Sequence, residues 1–263
     1  AFDGAAAKGW RVAVRAGETA FDTHALHPDV VLELQGFDAI GPVERVDLAS
    51  GTTCGRVSVG ANATWGAILA KTKAAGFVPY VMVSTSRATA GGTLSADCLS
   101  RFSPTCGKEG AHVESFRLMK VDGSVVRCAR DENAELFFGV IGGFGYLGVV
   151  LEVTYRLLHV GTSNIVVKTE FQTFSGLAGL AKELVREVAG QPAVGVDRAP
   201  SSVPGLPEIP LADARAVSAV VWMNDERQGF VMRSTYADGA VVKGKPVLFH
   251  QRKKLSHRLL QLA

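Results

Sequence analysis

The sequence predicts an α+β protein, and three observations lead there. Strand-like and helix-like runs succeed one another in the order β-β-α-loop-β-β-α-β, not in the strict alternation of a doubly wound α/β sheet. Residues 84–110 form a long stretch rich in Ser, Thr and Gly and poor in large apolar side chains. A stretch of that length inside a compact domain is usually functional. After about residue 160 the pattern restarts, which divides the chain into a first domain over 1–160 and a second over 161–263.

The first elements run as a series of short strands around one helix. Ala5–Lys8 reads as a helix tail closed by Gly9, so a strand and most of a helix are expected upstream. Arg11–Arg15 alternates as a strand, with Val12 and Val14 on one face. Asp29–Leu34 and Arg56–Gly60 are further strands. Asn62 is positioned to cap a helix whose apolar face is Trp65, Ile68, Leu69 and Thr72, with Gly76 closing it. Phe77–Val83 is short, apolar and buried. Residues 84–110 read as a long ordered loop or a loop-plus-turn segment. Ser115–Met119 and Val125–Cys128 pair across an Asp122-Gly123 turn. Glu132–Phe138 is a short helix or turn, and Gly148–Leu157 a strong strand.

The second half offers a strand at Ile165–Phe171. A helix comes next, capped by Ser175 and ended by Gly190, with Leu177, Leu180, Leu184 and Val188 on one face. Residues 191–212 hold five prolines and read as a linker or surface loop. Ala216–Trp222 and Gly229–Tyr236 are strands, and Pro246–Leu260 a basic helix.

Composition excludes several classes. The chain has 263 residues, 47% hydrophobic and 20% charged, enough for a sizeable core. The net charge of +3 is small and not clustered, apart from the short run Arg252, Lys253 and Lys254, so no nucleic-acid partner is expected. No stretch approaches the roughly 18 apolar residues of a transmembrane helix. Cys54, Cys98, Cys106 and Cys128 form no Cys-x-x-Cys pair and have no histidine at zinc-site spacing, so no metal site is expected. They fit packed thiols in a reducing, cytoplasmic setting; a Cys98–Cys106 bridge stays open, as does a cleaved targeting signal. The sequence carries no sign of oligomeric state.

One motif misleads. Gly143-x-Gly145-x-x-Gly148 matches the dinucleotide fingerprint, and Leu136–Ile141 before it can be read as the preceding strand. That fingerprint needs a helix after it, whose N-terminus meets the pyrophosphate. Val149 to Tyr155 occupies that place instead, a strand by propensity, so a tight turn with close backbone approach is the better reading.

Two segments are suited to a phosphorylated ligand. Arg15–Phe21 comes directly after a strand, and its small residues let successive backbone N–H groups share one concavity. Thr89–Ala96 offers the amides of Gly91 and Gly92 with Thr and Ser hydroxyls. Either alone is equally well read as a tight turn with capping hydroxyls.

In combination they carry a resemblance. Arg15–Leu26 with Pro28–Leu34, then Val81–Ala96, then Gly110–Phe116 with Asp122-Gly123, then Glu135–Phe138 with Gly148–Val150 stand in the order and spacing of the PCMH-type FAD-binding flavoproteins. This is the family of vanillyl-alcohol oxidase and p-cresol methylhydroxylase. The pattern is nearest the decaprenylphosphoryl-ribose oxidase and aldonolactone oxidase branch, and covers about residues 5–160. The resemblance implies a two-subdomain FAD-binding fold followed by a partial α+β substrate (cap) domain. Ala16, Gly17, Glu18, Thr19, Ala20 and Phe21 would embrace the pyrophosphate. Ser84, Thr85, Thr89, Ala90, Gly91, Gly92, Ser95 and Ala96 would line the flavin, and Val149 would reach the adenine side through its backbone.

The departures shape the expectation. Thr19 and Thr85 stand where relatives carry a flavin-linking His or Cys, which implies non-covalent FAD. Glu18 stands in place of Gly, and a carboxylate beside a pyrophosphate is unfavourable unless paired or turned away. Leu99-Ser100-Arg101 replaces a His-Gly-Lys segment, and Arg101 keeps a cation able to steady reduced flavin. The implied reaction oxidises an alcohol or sugar-like hydroxyl of a small-molecule substrate by hydride transfer to flavin N5. The alternatives are an NADPH-dependent flavin reductase of the same fold and a decayed, non-catalytic flavin-binding or scaffold protein. No base is assigned: His112, His159, His250 and His257 read as structural or surface residues.

Overall fold

The architecture comes from a computed structural model, which describes residues 4, 7–20, 25–26, 29–189, 209, 211–221 and 228–240. The strands are β1 Val12–Arg15, β2 Val30–Glu33, β3 Glu44–Asp47, β4 Thr53–Gly60, β5 Phe77–Pro79, β6 Val113–Met119, β7 Val125–Ala129, β8 Val149–His159, β9 Ile165–Phe174, β10 Arg215–Val221 and β11 Gly229–Asp238. The helices are α1 Trp65–Ala74, α2 Ala90–Ser95, α3 Ser103–Cys106, α4 Ala134–Val140 and α5 Gly176–Ala189, with 3₁₀ turns at Glu109–His112 and Leu211–Asp213.

Three sheets result. β1 and β2 form a small parallel pair, Val12 opposite Val30 through Arg15 opposite Glu33. The largest sheet is antiparallel, ordered β3-β4-β8-β6-β7, with β5 also on β8. The third is ordered β10-β11-β9. This is the α+β arrangement that the order of elements predicts. β3 is an addition: Glu44–Asp47 carries three charged side chains and one valine, so it gives no strand signal, and it pairs only at the sheet edge with β4.

The long strand β8 sits in the middle because its apolar residues serve both faces. Val153, Tyr155 and Leu157 join Val57, Val59, Trp65, Ile68 and Leu94 in the main core. Leu158 and Val160 join a second core with Leu69, Tyr80, Phe102, Ile209 and Ala216, to which residues on both sides of position 160 contribute. β10 is tied to α3: Thr105 Oγ1 donates to the Arg215 carbonyl at 2.8 Å, the Val217 amide donates to the Arg101 carbonyl at 2.9 Å, and Phe102 stacks on Tyr236 at 4.8 Å.

Helix α1 buries Trp65, Ile68, Leu69 and Thr72, as its spacing predicts. Its cap differs. Thr64, not Asn62, is the N-cap and accepts from the Ala67 amide at 3.4 Å. Residues 61–63 are drawn into pairing instead: the Ala61 amide donates to Leu151, the Asn62 amide to Phe37, and the Ala63 carbonyl accepts from Ala90. Gly76 stands after the helix at φ +80°, as a closing glycine should.

The stretch 84–110, expected as a long loop or a loop with a turn, contains α2, α3 and the start of a 3₁₀ turn. Gly91 and Gly92 concealed the helix α2, since glycine disfavours helix interiors. Leu136–Ile141 is largely helix α4, and strand β8 begins directly after Gly148. The strand-turn-helix context of a dinucleotide fingerprint is therefore absent on both sides.

In the second half, helix α5 leaves Leu177 and Leu184 of its expected apolar face exposed. Gly190, most of the 191–212 linker, Trp222 and Pro246–Leu260 lie outside the described residues. No disulfide links the four cysteines.

Candidate functional site

The two ligand-suited segments meet. Gly17, just after β1, packs so closely on the second segment that a Cβ there would lie 2.8 Å from Thr89 Cγ2 and 2.9 Å from the Arg87 carbonyl oxygen. Only glycine allows that approach. Thr89 is itself held by an antiparallel bridge to Thr64 at the start of α1. Two stretches about seventy residues apart in sequence thus share one surface.

Glu18 takes the left-handed conformation, φ +51°, which non-glycine residues adopt at a cost of roughly 1 kcal/mol. Its carboxylate lies 3.6 Å from Arg15 Nε and is largely exposed. Arg15 also pairs with Glu33 on β2, which lowers the Glu33 carboxyl through that hydrogen bond and raises the Arg15 guanidinium in turn. Arg15 is therefore a cation shared by the Glu18 and Glu33 carboxylates. Glu18→Gly is expected to relieve the backbone and leave FAD affinity unchanged or up to about tenfold tighter, measured by flavin fluorescence titration. A large loss would show that the carboxylate itself contributes to binding.

Around this core Ala16 is half-buried against the main core, while Thr19 and Ala20 are exposed. Phe21 lies outside the described residues. In the second segment Ser84 and Thr85 are exposed, Thr89, Ala90 and Gly91 are buried, and Gly92 and Ala96 are exposed. Burial changes the expected role of Gly91. Its amide donates to the Ala61 carbonyl at 2.8 Å, and the Ala90 amide donates to Ala63 at 3.0 Å. A Cβ on Gly91 would lie 2.8 Å from Ala61 Cβ. Gly91 thus seats α2 on the end of β4, and its amide is taken by the Ala61 carbonyl. The exposed edge of α2 is Gly92, Ser95 and Ala96; Ser95 Oγ donates to the Gly91 carbonyl at 2.8 Å and keeps its lone pairs.

A third segment completes this edge. The glycine-rich turn before β8 folds onto α2: the Gly142 amide donates to the Leu94 carbonyl at 3.1 Å and the Phe144 amide to the Ser95 carbonyl at 2.8 Å. That leaves Phe144 63% and Tyr146 92% exposed, an aromatic surface beside small residues. Val149 is buried, and pairs with Met119 at the start of β8. Arg101 is exposed at the junction of α3 with β10, where its carbonyl is used by Val217. Neither Phe144 nor Tyr146 was legible as a site residue, because only the fold of the turn shows that they face outward.

Beneath α2 lies a buried polar network that has no sequence signal. Glu109 is 2% exposed. Its Oε1 accepts from Tyr155 Oη at 2.6 Å and Thr93 Oγ1 at 3.0 Å, and Thr93 accepts from Trp65 Nε1 at 2.9 Å. Burial pushes the Glu109 carboxyl up to about 8, with nearby Asp97 adding to the rise against the two hydrogen bonds. His112 is buried, with Nε2 2.6 Å from the Cys106 carbonyl and its ring stacked on Tyr80, and the His159 ring meets Phe77 at 5.1 Å, tilted by 45°, so both make packing contacts. His250 and His257 lie outside the described residues.

Known proteins are similar to parts of this chain. A family model described as an FAD binding domain matches residues 2–129. An uncharacterized oxidoreductase, ORF5 in the fasciation locus of Rhodococcoides fascians, is 26% identical over 198 residues, which is 73% of this chain and 43% of that protein. Cytokinin dehydrogenase 3 of Arabidopsis thaliana is 31% identical over 40% of this chain and 20% of its own length. Cytokinin dehydrogenase 7 of Oryza sativa subsp. japonica is 30% identical over 43% of this chain and 22% of its own length. The chain thus spans less than half the length of these relatives, and they do not bear on the ribose-oxidase and aldonolactone branch. Among the described residues no helix is long and apolar enough to cross a membrane. Residues 2–129 thus match an FAD binding domain, which supports the PCMH-type flavoprotein that the sequence resembles.

Proposed function

We propose that this chain holds FAD without a covalent bond and serves an oxidoreductase that removes hydrogen from a small-molecule alcohol or sugar-like hydroxyl. The observation that carries the reading is the seat of Gly17 on Arg87–Thr89, which brings both anion-suited segments to one surface. The residues fit the cofactor. Gly17, Thr19 and Ala20 leave room for a pyrophosphate, Glu18 is turned to Arg15, and Gly92, Ser95 and Ala96 present a small-residue edge beside Phe144. Thr19 and Thr85 supply no His or Cys to link a flavin. Bound FAD supplies the hydride acceptor; the protein supplies position and electrostatics. Arg101, at the junction with the second half, is the cation proposed to steady the reduced state, and residues 161–263 are proposed as the substrate-facing (cap) part.

The paired state of Glu18 speaks for this reading over a decayed site. The test is an absorption spectrum of the purified chain before and after acid precipitation. Flavin bands at roughly 370 and 450 nm that pass to the supernatant are the expected result. Bands that stay with the pellet would overturn the non-covalent assignment, and a protein that stays colourless with added FAD would overturn the site. Bleaching by candidate substrates then separates the reactions. Alcohols, sugars and, given the names of two relatives, cytokinins form the screen. Bleaching by NADPH alone would favour the reductase alternative.

A further inference from the structure

The flavin-facing edge of α2 stands on an acid that the flavin chemistry leaves without a role. Glu109 opens the 3₁₀ turn before β6, and its carboxyl reaches α2 through Thr93 and β8 through Tyr155. Thr93 has one proton and three acceptors within reach: the carbonyls of Thr89 and Ala90, each at 3.2 Å, and Glu109. Tyr155 likewise lies 3.4 Å from the Ala90 carbonyl. One carboxyl therefore gathers polar links from the underside of α2, the indole of α1 and the central strand. Both donors converge on Oε1, while Oε2 is buried with no hydrogen-bond partner. A charged carboxylate so placed would be solvated on one oxygen alone, and desolvation of the other is costly.

We propose that Glu109 is a positioning residue of the flavin site: held uncharged, it locks α2 to β8 through Thr93 and Tyr155 and so sets where Gly92, Ser95 and Ala96 stand. The inference rests on the FAD reading of that edge. The ionisable groups facing Glu109 are Tyr155 on β8, pushed well above its usual value by burial, and Asp97 and Cys98 after α2. Asp97 is paired with Lys108 at 3.3 Å, and α2 itself carries no charged residue. None of these supplies a cation to a Glu109 carboxylate, so ionisation leaves an unmatched buried charge that opening of α2 to water would relieve. The sign follows from linkage. A carboxyl raised on folding favours the fold most below its ordinary pKa near 4.5, and that stability drains as pH rises to about 8.

The test compares the whole chain with its Glu109→Gln and Glu109→Ala variants. FAD affinity is read by flavin fluorescence, and amide exchange over residues 88–97 is corrected for its intrinsic pH dependence. In the native chain affinity is expected to fall about tenfold or more between pH ~5 and ~8 and to level off above, with exchange over 88–97 rising in parallel. Glu109→Gln, uncharged at every pH, is expected to keep tight binding and lose the pH dependence. Glu109→Ala is expected to bind weakly throughout. Identical pH profiles in native and Gln forms would overturn the proposal. A chain that binds no FAD at any pH would instead overturn the FAD assignment of this edge. The exchange profiles would then still decide the role of Glu109.

Discussion

Gly148→Ala is expected to unfold the protein about 10 °C earlier than the native chain, whereas Gly145→Ala, three residues before, lowers the midpoint by only a few degrees. Both glycines have positive φ, +145° and +83°. A Cβ at 145 meets nothing closer than 4.0 Å. A Cβ at 148 would lie 2.5 Å from the Met119 carbonyl oxygen and 3.2 Å from Leu118 Cγ and Cδ1. Met119 is a backbone partner of Val149, so the new methyl pries apart the point where β8 joins β6. Strain at such a φ costs about 1–3 kcal/mol, and the displaced backbone adds about as much again. Thermal unfolding by circular dichroism measures both variants. Equal losses would show that the close approach of Gly148 to β6 does not govern stability. The contrast also separates this turn from a dinucleotide fingerprint, whose last glycine serves helix packing.

Trp65→Ala should cost the most of any single truncation in the core, about 3–5 kcal/mol in urea denaturation. Trp65 is 1% exposed and is the largest fully buried side chain among the described residues. Its ring meets Tyr155 at 5.3 Å, and its Nε1 donates to Thr93. Removing it leaves a cavity between α1 and β8 and takes a hydrogen bond from the network under α2. Trp65→Phe restores most of the volume but not the donor, so a loss of about 1–2 kcal/mol is expected from the lost hydrogen bond to Thr93 Oγ1 and the smaller ring. If the two variants were equally destabilised, the hydrogen bond rather than the packing would dominate. The proposed FAD site should feel both changes, because α2 rests in part on this cluster.

Residues whose partners are near in sequence were read well. The helix face Trp65, Ile68, Leu69 and Thr72, the hairpin around Asp122-Gly123 and the strand after Gly148 all come from periodicity and turn chemistry. The failures share a cause. Thr64 replaced Asn62 as cap because distant carbonyls at Phe37 and Leu151 claimed the preceding backbone. Helix α2 was hidden because it carries two glycines, which argue against a helix, and one of them, Gly91, is there to let it sit on Ala61.

The sequence by itself determined the α+β class, most of the strands and the longer helices, and the two small-residue segments that resemble an FAD site. Local propensity and the spacing of apolar residues are properties of short stretches, so they survive without a fold. Only the tertiary structure decided that Gly17 and Thr89 touch, that Glu18 lies beside Arg15, that the Gly91 amide is taken by Ala61, and that Glu109 is buried under α2. Each of those depends on contacts across the fold and on what water can reach, and neither is encoded in any one segment.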